Sequence, residues 1–293
     1  MKLDKMVPVN LDDFLSPDVS ELRNLTTHGQ FCWACQPLIC QFVLDRFGVD
    51  MVTYLEADSL FFSNPEVLFD ELGEKSVTLS PHNYTPEFDR SATSGIFCTQ
   101  FNAFKNNGAG RAVLDYWKAC CFTYSKEKPQ LYPGQFSLND WPERFDCVRI
   151  LRHPGAGVAP WNIQRFKFEM INGVPTVDGL PIVFYHFHAY GRYGNGAHEL
   201  GQYPLKKGVV DAIYGAYVME LKRAEGMVRK MNPTFGYRRE YKMVKSFKEI
   251  FRSLSVPDFM EWVIVLKRKI RGVYNVFSDD YFTKNADPRL ENH

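Results

Sequence analysis

Residues 49–72 read VDMVTYLEADSLFFSNPEVLFDEL. Met51-Val52-Thr53-Tyr54-Leu55 is an apolar, β-rich run, suited to a strand buried on both faces of a parallel or mixed sheet. Two carboxylates one residue apart, Glu56 and Asp58, stand where that strand should end. Ser63-Asn64-Pro65-Glu66 is a helix start, with Ser or Asn as cap, Pro in the first turn and Glu near the positive end of the dipole. Strand, acidic pair, short loop and helix make the layout of an α/β ligand site, because ligands bind beyond the carboxyl ends of such strands. Two hard oxygen ligands there suit Mg²⁺ or Mn²⁺, which neutralises a diphosphate. A bare Glu-x-Asp is otherwise an ordinary solvated turn.

On the N-terminal side, Phe31 to Phe47 is a strongly apolar helix candidate in which Pro37 imposes a kink or a late start. Met6-Val7-Pro8-Val9 reads as a short strand, and residues 18–30 are polar. On the C-terminal side, Ser76 to Ser80 is a strand ending in the loop Pro81-His82-Asn83-Tyr84. Residues 94–105 alternate like one strand. Asn107-Gly108 makes a turn, and residues 109–124 carry the helical stripe Ala112, Val113, Tyr116, Trp117, Cys120 and Cys121. Residues 166–188 hold two turn signals, Asn172-Gly173 and Asp178-Gly179, between apolar runs, which predicts a hairpin or meander. Its last run ends on His186 and His188, which share a strand face.

Tyr54-Leu55-Glu56-Ala57-Asp58-Ser59-Leu60-Phe61-Phe62-Ser63-Asn64-Pro65 resembles the D-x-D segment of GT-A fold glycosyltransferases, in particular bacterial, family-8-like sugar-nucleotide transferases with the pattern Y-L-D-A-D-x-x-F-F-S-x-P. Glu56 stands where that family has Asp. Residues 132–145, YPGQFSLNDWPERF, are similar to a second family pattern, F-G-D-Q-x-Y-L-x-D-W-P-x-R-F. Gln135, Asp140 and Trp141 match it, and Gly134 replaces its Asp. Residues 155–162, GAGVAPWN, are similar to a third. On its own, Gly155-Ala156-Gly157 is a weak phosphate-loop signal.

The resemblance covers about residues 5–190 and implies a GT-A-like mixed sheet flanked by helices. It places Gln135 and Asn102 at the sugar as catalytic candidates. Glu56, Asp58, Asn102, Trp161 and Asn162 become donor-binding, and His188 of His188-x-x-Gly191 joins Glu56 and Asp58 as a ligand of Mn²⁺ or Mg²⁺. Asp140 reads mainly as a structural cap, and Arg192 is placed to face a diphosphate. The chain enters the family pattern after the usual first strand and base-holding loop. The domain is therefore N-terminally incomplete, or its base site is built differently.

The 293 residues carry a net charge of +1, which gives no global argument for nucleic acid. No run of about eighteen apolar residues and no signal peptide is present, so a cytoplasmic protein is expected. The seven cysteines mostly sit in apolar segments and read as buried thiols; Cys32-x-x-Cys35 has no second ligand pair. After residue 200 the composition turns basic, with more than twice as many Lys and Arg as Asp and Glu over 201–275. The expected division is a transferase domain over 1–200 and a basic, mainly helical extension over 201–293. Helices are predicted over 211–227 and 242–254. Phe259, Trp262, Val263, Val265 and Leu266, followed by Lys267-Arg268-Lys269 and Arg271, suit either a helix packed on the core or an anionic membrane surface on the inner face of the plasma membrane.

The function expected is transfer of a sugar from a nucleoside-diphosphate donor to a glycan or glycolipid acceptor in surface-polysaccharide or lipopolysaccharide assembly. A non-catalytic descendant that binds a sugar nucleotide or a partner is the alternative, drawing on Glu56, Gly134 and the missing front strand. A nucleotidyltransferase is disfavoured, because no Gly-rich nucleotide signature with Lys or Arg lies near the start.

Overall fold

The computed structural model describes residues 6–14, 16–25, 27–127, 133–237, 239–240 and 256–285. The helix predicted over 242–254 lies outside them. The chain is mixed α/β and divides into two compact units. The first holds Met1–Ala57, Glu66–Tyr84 and Asp89–His153; the second holds Asp58–Pro65, Thr85–Phe88 and Pro154–His293.

In the first unit, Met51–Leu55 pairs antiparallel with Phe101–Lys105. Val77–Pro81 pairs antiparallel with Phe101–Lys105 and Phe97–Cys98, and parallel with Val148–Ile150. The sheet is mixed, as the sequence predicts. Met51–Leu55, however, has one neighbour and is only half-buried, with Leu55 exposed. Val77–Pro81 and Phe101–Lys105 are the buried strands. Residues 94–105 form two strands in place of one, and residues 6–9 form none.

Helices His28–Ala34 and Gln36–Phe47 meet at Cys35, with Pro37 in the first turn of the second, where its missing N–H costs nothing. Thr27 caps the first through a capping box with Gln30, so Gln30 is committed to the helix end. Gly48, at φ 59°, closes the second helix. Helix Gly108–Glu127 adds Val113, Leu114, Trp117 and Cys121 to a core completed by Leu38, Leu44, Val77, Leu79, Phe104 and Trp141. Cys35, Cys40, Cys98 and Cys121 are buried, and all seven cysteines are free thiols. Burial pushes the Cys40 thiol up to about 12.

In the second unit, Phe168–Ile171, Val174–Val177 and Leu180–Pro181 form the predicted meander. Its turns sit at Asn172-Gly173 and Asp178-Gly179, and all four residues have positive φ, as type I′ turns require. The next strand, Phe184–His186, leaves the meander and pairs antiparallel with Ser59–Phe61. The segment 155–158 lies along it: Val183 and Phe184 donate to the Gly155 carbonyl, and His186 donates to that of Val158. Gly155 is therefore part of a main-chain packing contact, and the phosphate-loop signal is not realised as a loop opening a helix. The predicted helix over 211–227 is a longer helical run over 207–231 with a π turn at Val210–Tyr214.

Val276–Ser278 pairs with Ala197–Glu199, which also pairs with Gly191–Arg192. Residues on both sides of position 200 thus share one sheet and one compact unit, which runs on from Pro154 and also takes in Asp58–Pro65 and Thr85–Phe88. A polar knot fastens this sheet. His198 is fully buried. Its Nε2 lies 3.1 Å from Asp279 Oδ1, and its Nδ1 lies 2.6 Å from Tyr190 Oη. The shorter Asp279 contact, to a carboxylate that only accepts, puts the proton on Nε2, so Nδ1 accepts from Tyr190 and Arg192 Nη1, 3.3 Å from Nε2, makes no bond to the ring. Arg192 and Lys222 also pair with Asp279, at 3.0 and 3.1 Å. Arg192 is thus committed to Asp279, with its guanidinium over the Tyr237 ring, and does not stand free for a diphosphate.

Burial, followed by the nearby cations, holds His198 below the ordinary histidine range despite Asp279. The folded state resists a proton that the unfolded chain takes up below about pH 6.5. Stability should therefore fall as pH drops through that value toward the lowered folded pKa, by at most about 1.4 kcal/mol per pH unit for one group. Urea denaturation at pH 7.5, 6.5 and 5.5 checks this. His198→Gln should be less stable at pH 7.5 and show a shallower acid slope. Identical slopes would show that other groups carry the acid sensitivity.

Candidate functional site

In the second unit the site is built where two antiparallel strands end side by side. Asp58 precedes Ser59–Phe61, and His186 closes Phe184–His186 opposite Ser59. His186 Nε2 lies 3.1 Å from Asp58 Oδ1 and donates to it. The Phe187 N–H donates to the Asp58 carbonyl at 2.7 Å, fixing the backbone on both sides of the pair. Burial alone would raise the Asp58 carboxyl, but the His186 hydrogen bond and charge, with the Asp58 backbone N–H and His188 behind them, hold it below the ordinary range. Asp58 is a carboxylate throughout the neutral range.

His186 is buried, whereas His188 is exposed. Trp161 is buried, with its ring edge-on to both, 5.2 Å from His186 and 5.3 Å from His188. An aromatic layer backs the cluster. Phe187 stacks on Tyr217 at 3.8 Å, and Tyr185 and Tyr214 meet at 5.6 Å. Burial, then the Asp58 charge, pushes the Tyr217 hydroxyl up to about 12. The π turn places Tyr214 and Tyr217 in this layer by widening one turn of the helix. His186 was visible in the sequence only as the partner of His188 in alternation. Its role follows from the pairing with Ser59, which no local pattern announces.

Glu56 belongs to the first unit, and the boundary falls between Ala57 and Asp58. Its Oε1 accepts from Thr99 Oγ1 at 3.0 Å, Gln36 Nε2 at 3.1 Å and Tyr54 Oη at 3.3 Å. Asn102 lies in the same unit opposite Tyr54, fully buried. With its amide oriented to satisfy both ends, its nitrogen donates to the carbonyls of Phe101 and Thr78. Gln135 donates to the Ser94 carbonyl at 2.8 Å. The structure thus shows both catalytic candidates engaged with main-chain carbonyls. Asp140 precedes helix Trp141–Arg144 but makes no side-chain capping bond; it accepts from Tyr116 and pairs with Arg144. In the second unit Asn162, also buried, accepts from the Ala159 N–H and donates to the Gly157 carbonyl, bracing the turn that carries Trp161.

Among the described residues no group of three or more His, Cys, Asp or Glu is arranged to hold a metal ion. Asp58 and His188 nevertheless suit Mg²⁺ or Mn²⁺ in donor type. Such ions in phosphate sites are held by one or two carboxylates plus phosphate oxygens, not by a closed protein cage.

The fold and this cluster define a mixed α/β chain with a carboxylate–histidine site at paired strand ends. Two Bacillus subtilis (strain 168) proteins are similar in sequence. YfnD is 25% identical over 238 residues, which cover 78% of this chain and 76% of YfnD. YfnF is 29% identical over 202 residues, 65% of this chain and 66% of YfnF. Both are described as uncharacterized. No family model and no solved structure matches the chain.

Proposed function

We propose that the protein is a GT-A-like glycosyltransferase that moves a sugar from a nucleoside-diphosphate donor to a glycan or glycolipid acceptor of the surface-polysaccharide or lipopolysaccharide kind. The observation that carries this is the Asp58–His186 pair beside His188 and Trp161; the resemblance to sugar-nucleotide transferases assigns Asp58, Trp161 and His188 to the donor and its metal. Asp58 supplies an ionised oxygen, His186 holds it, and His188 adds an exposed imidazole two residues on. Trp161 offers an aromatic wall. When bound, Mn²⁺ or Mg²⁺ would be held in the second unit by Asp58 and His188, and would take up negative charge on the departing diphosphate. No side-chain nucleophile is required, since the acceptor hydroxyl attacks the sugar carbon. In this reading Asn102 and Gln135 brace a strand and a helix of the first unit.

A non-catalytic binding protein is the second reading, favoured by the engagement of Asn102 and Gln135 with main-chain carbonyls. The two readings separate in one assay: release of free sugar or nucleoside diphosphate from a panel of sugar nucleotides with Mn²⁺. Binding without release supports the second.

Among the described residues no helix is long and apolar enough to cross a membrane. Helix Val256–Ile270 exposes Met260, Ile264 and Ile270, the last at 76%, beside exposed Lys267, Lys269 and Arg271. The side chains of Phe259 and Trp262 lie outside the described set. An apolar face with a basic end suits peripheral docking on an anionic cytoplasmic membrane surface. Sedimentation with vesicles should show binding to anionic lipid that weakens with added salt, and equal binding to neutral vesicles would remove the idea.

A further inference from the structure

Gln36 opens the helix Gln36–Phe47 and is 2% exposed. Its Nε2 reaches Tyr54 Oη at 3.0 Å, Glu56 Oε1 at 3.1 Å and Thr99 Oγ1 at 3.3 Å. The hydroxyls of Tyr54 and Thr99 donate to the same Glu56 oxygen, which leaves their own lone pairs open to Gln36. Three neutral donors therefore converge on one carboxylate oxygen. Among the described residues no Lys, Arg or His pairs with Glu56, and its Oε2 has no hydrogen-bond partner. The carboxylate is clamped by one oxygen and presents the other.

The clamp has an internal cost. Gln36 Oε1 is buried and makes no hydrogen bond among the described residues. Turning the amide over would set its oxygen against the Glu56 carboxylate oxygen, acceptor facing acceptor. Gln36 Oε1 lies instead toward Gly134, where a Cβ would stand 2.6 Å from it and 2.7 Å from the Trp33 carbonyl oxygen. No real Cβ contact is that short. Gly134 thus leaves the space that the Gln36 amide fills.

We propose that Gln36 is a positioning residue for Glu56, and that Gln36, Glu56 and Gly134 form one fitted set. Glu56 keeps its Oε2 available as a hard oxygen ligand because Gln36, Thr99 and Tyr54 hold Oε1, and Gln36 reaches it because position 134 has no side chain. This rests on the proposed transferase site for the ligand and on geometry alone for the fit. Gly134 then does not mark a lost catalytic carboxylate. A Gly134→Asp substitution displaces Gln36 and lowers turnover, where the sequence pattern alone would predict a gain.

Two measurements test it. The first is calorimetric binding of Mn²⁺ with UDP, GDP, ADP or CDP, whichever stabilises the wild type most. Gln36→Leu should weaken binding about tenfold, the usual scale for removing a group that orients a ligand. Combined with Glu56→Gln, it should add almost nothing to the loss from Glu56→Gln alone. Full additivity, or a Gln36→Leu variant that binds like wild type, overturns the positioning role. A Glu56→Gln variant that binds like wild type overturns it as well, by removing Glu56 from the ligand.

The second needs no ligand. Gly134→Ala should lower Tm, and lower it clearly less in a Gln36→Ala background, where only the Trp33 carbonyl still crowds the new methyl. Equal shifts in both backgrounds overturn the fitted set, whatever the fate of the transferase reading. Unequal shifts with no nucleotide binding leave the fitted set supported and the transferase reading rejected.

Discussion

Asp58→Ala should abolish the stabilisation of the protein by Mn²⁺ plus a nucleoside diphosphate. At a ligand concentration a hundred times Kd, that stabilisation is about 2.7 kcal/mol, readily seen as a rise in Tm. The expectation rests on Asp58 being the carboxylate that His186 and its own backbone hold ionised. Removing it takes away a hard oxygen ligand and leaves His186 without its acceptor. Without ligand, Tm should fall as well, because His186 is buried and loses the acceptor of its Nε2, a loss of about 1–3 kcal/mol; the ligand response is therefore read as the shift relative to each variant's own unliganded Tm. His186→Ala should weaken but not abolish the response, since Asp58 survives and only its orientation loosens. Wild type and Asp58→Ala responding alike would place the site elsewhere.

The second large effect is structural. Gly155→Ala should destabilise the protein by about 3 kcal/mol, at the upper end of the usual range for overpacking. A Cβ at 155 would overlap the Pro181 carbonyl oxygen and press on Ile182 Cα and Val183 N at 3.0 Å. These are main-chain atoms, and Val183 and Phe184 are tied to the Gly155 carbonyl, so neither side can rotate away. The strain should pass to the bridge between Val158 and Tyr185 and so to His186, weakening the ligand response as well. Gly226→Ala is the matched control: nothing stands within 4 Å of its Cβ position, and it lies in a helix where Ala is favoured by about 1 kcal/mol. Urea denaturation of both variants decides it. A loss below about 1 kcal/mol at Gly155 would contradict the packing account.

Local chemistry made much of the fold legible. Pro37 split the apolar run 31–47 where it should, and the two Asn-Gly and Asp-Gly dipeptides fixed the meander. Thr27-x-x-Gln30 is a capping box that the sequence displays in plain view. What stayed hidden depends on partners distant in sequence. Met51–Leu55 looked fully buried because hydrophobicity does not report how many neighbours a strand has; it lies at an edge. The resemblance puts Asn102 at the donor, but alternation alone does not say that this strand is buried on both faces. Glu56 and Asp58 read as one pair, yet they fall in different compact units with different partners. Gly134 reads as a missing carboxylate in the sequence, which does not show that the Gln36 amide oxygen and the Trp33 carbonyl, about a hundred residues earlier, stand where its Cβ would be.

The most direct test of the transferase reading is a turnover assay on purified full-length protein. Sugar nucleotides built on UDP, GDP, ADP and CDP are each incubated with Mn²⁺, with and without a mixed glycan and glycolipid acceptor pool, and nucleoside diphosphate release is measured. At least one donor should give release that stops on chelation and in Asp58→Ala, and that rises with acceptor. Tight binding of a sugar nucleotide with no release by wild type would contradict catalysis, and no binding of any donor would contradict the assignment of the site itself.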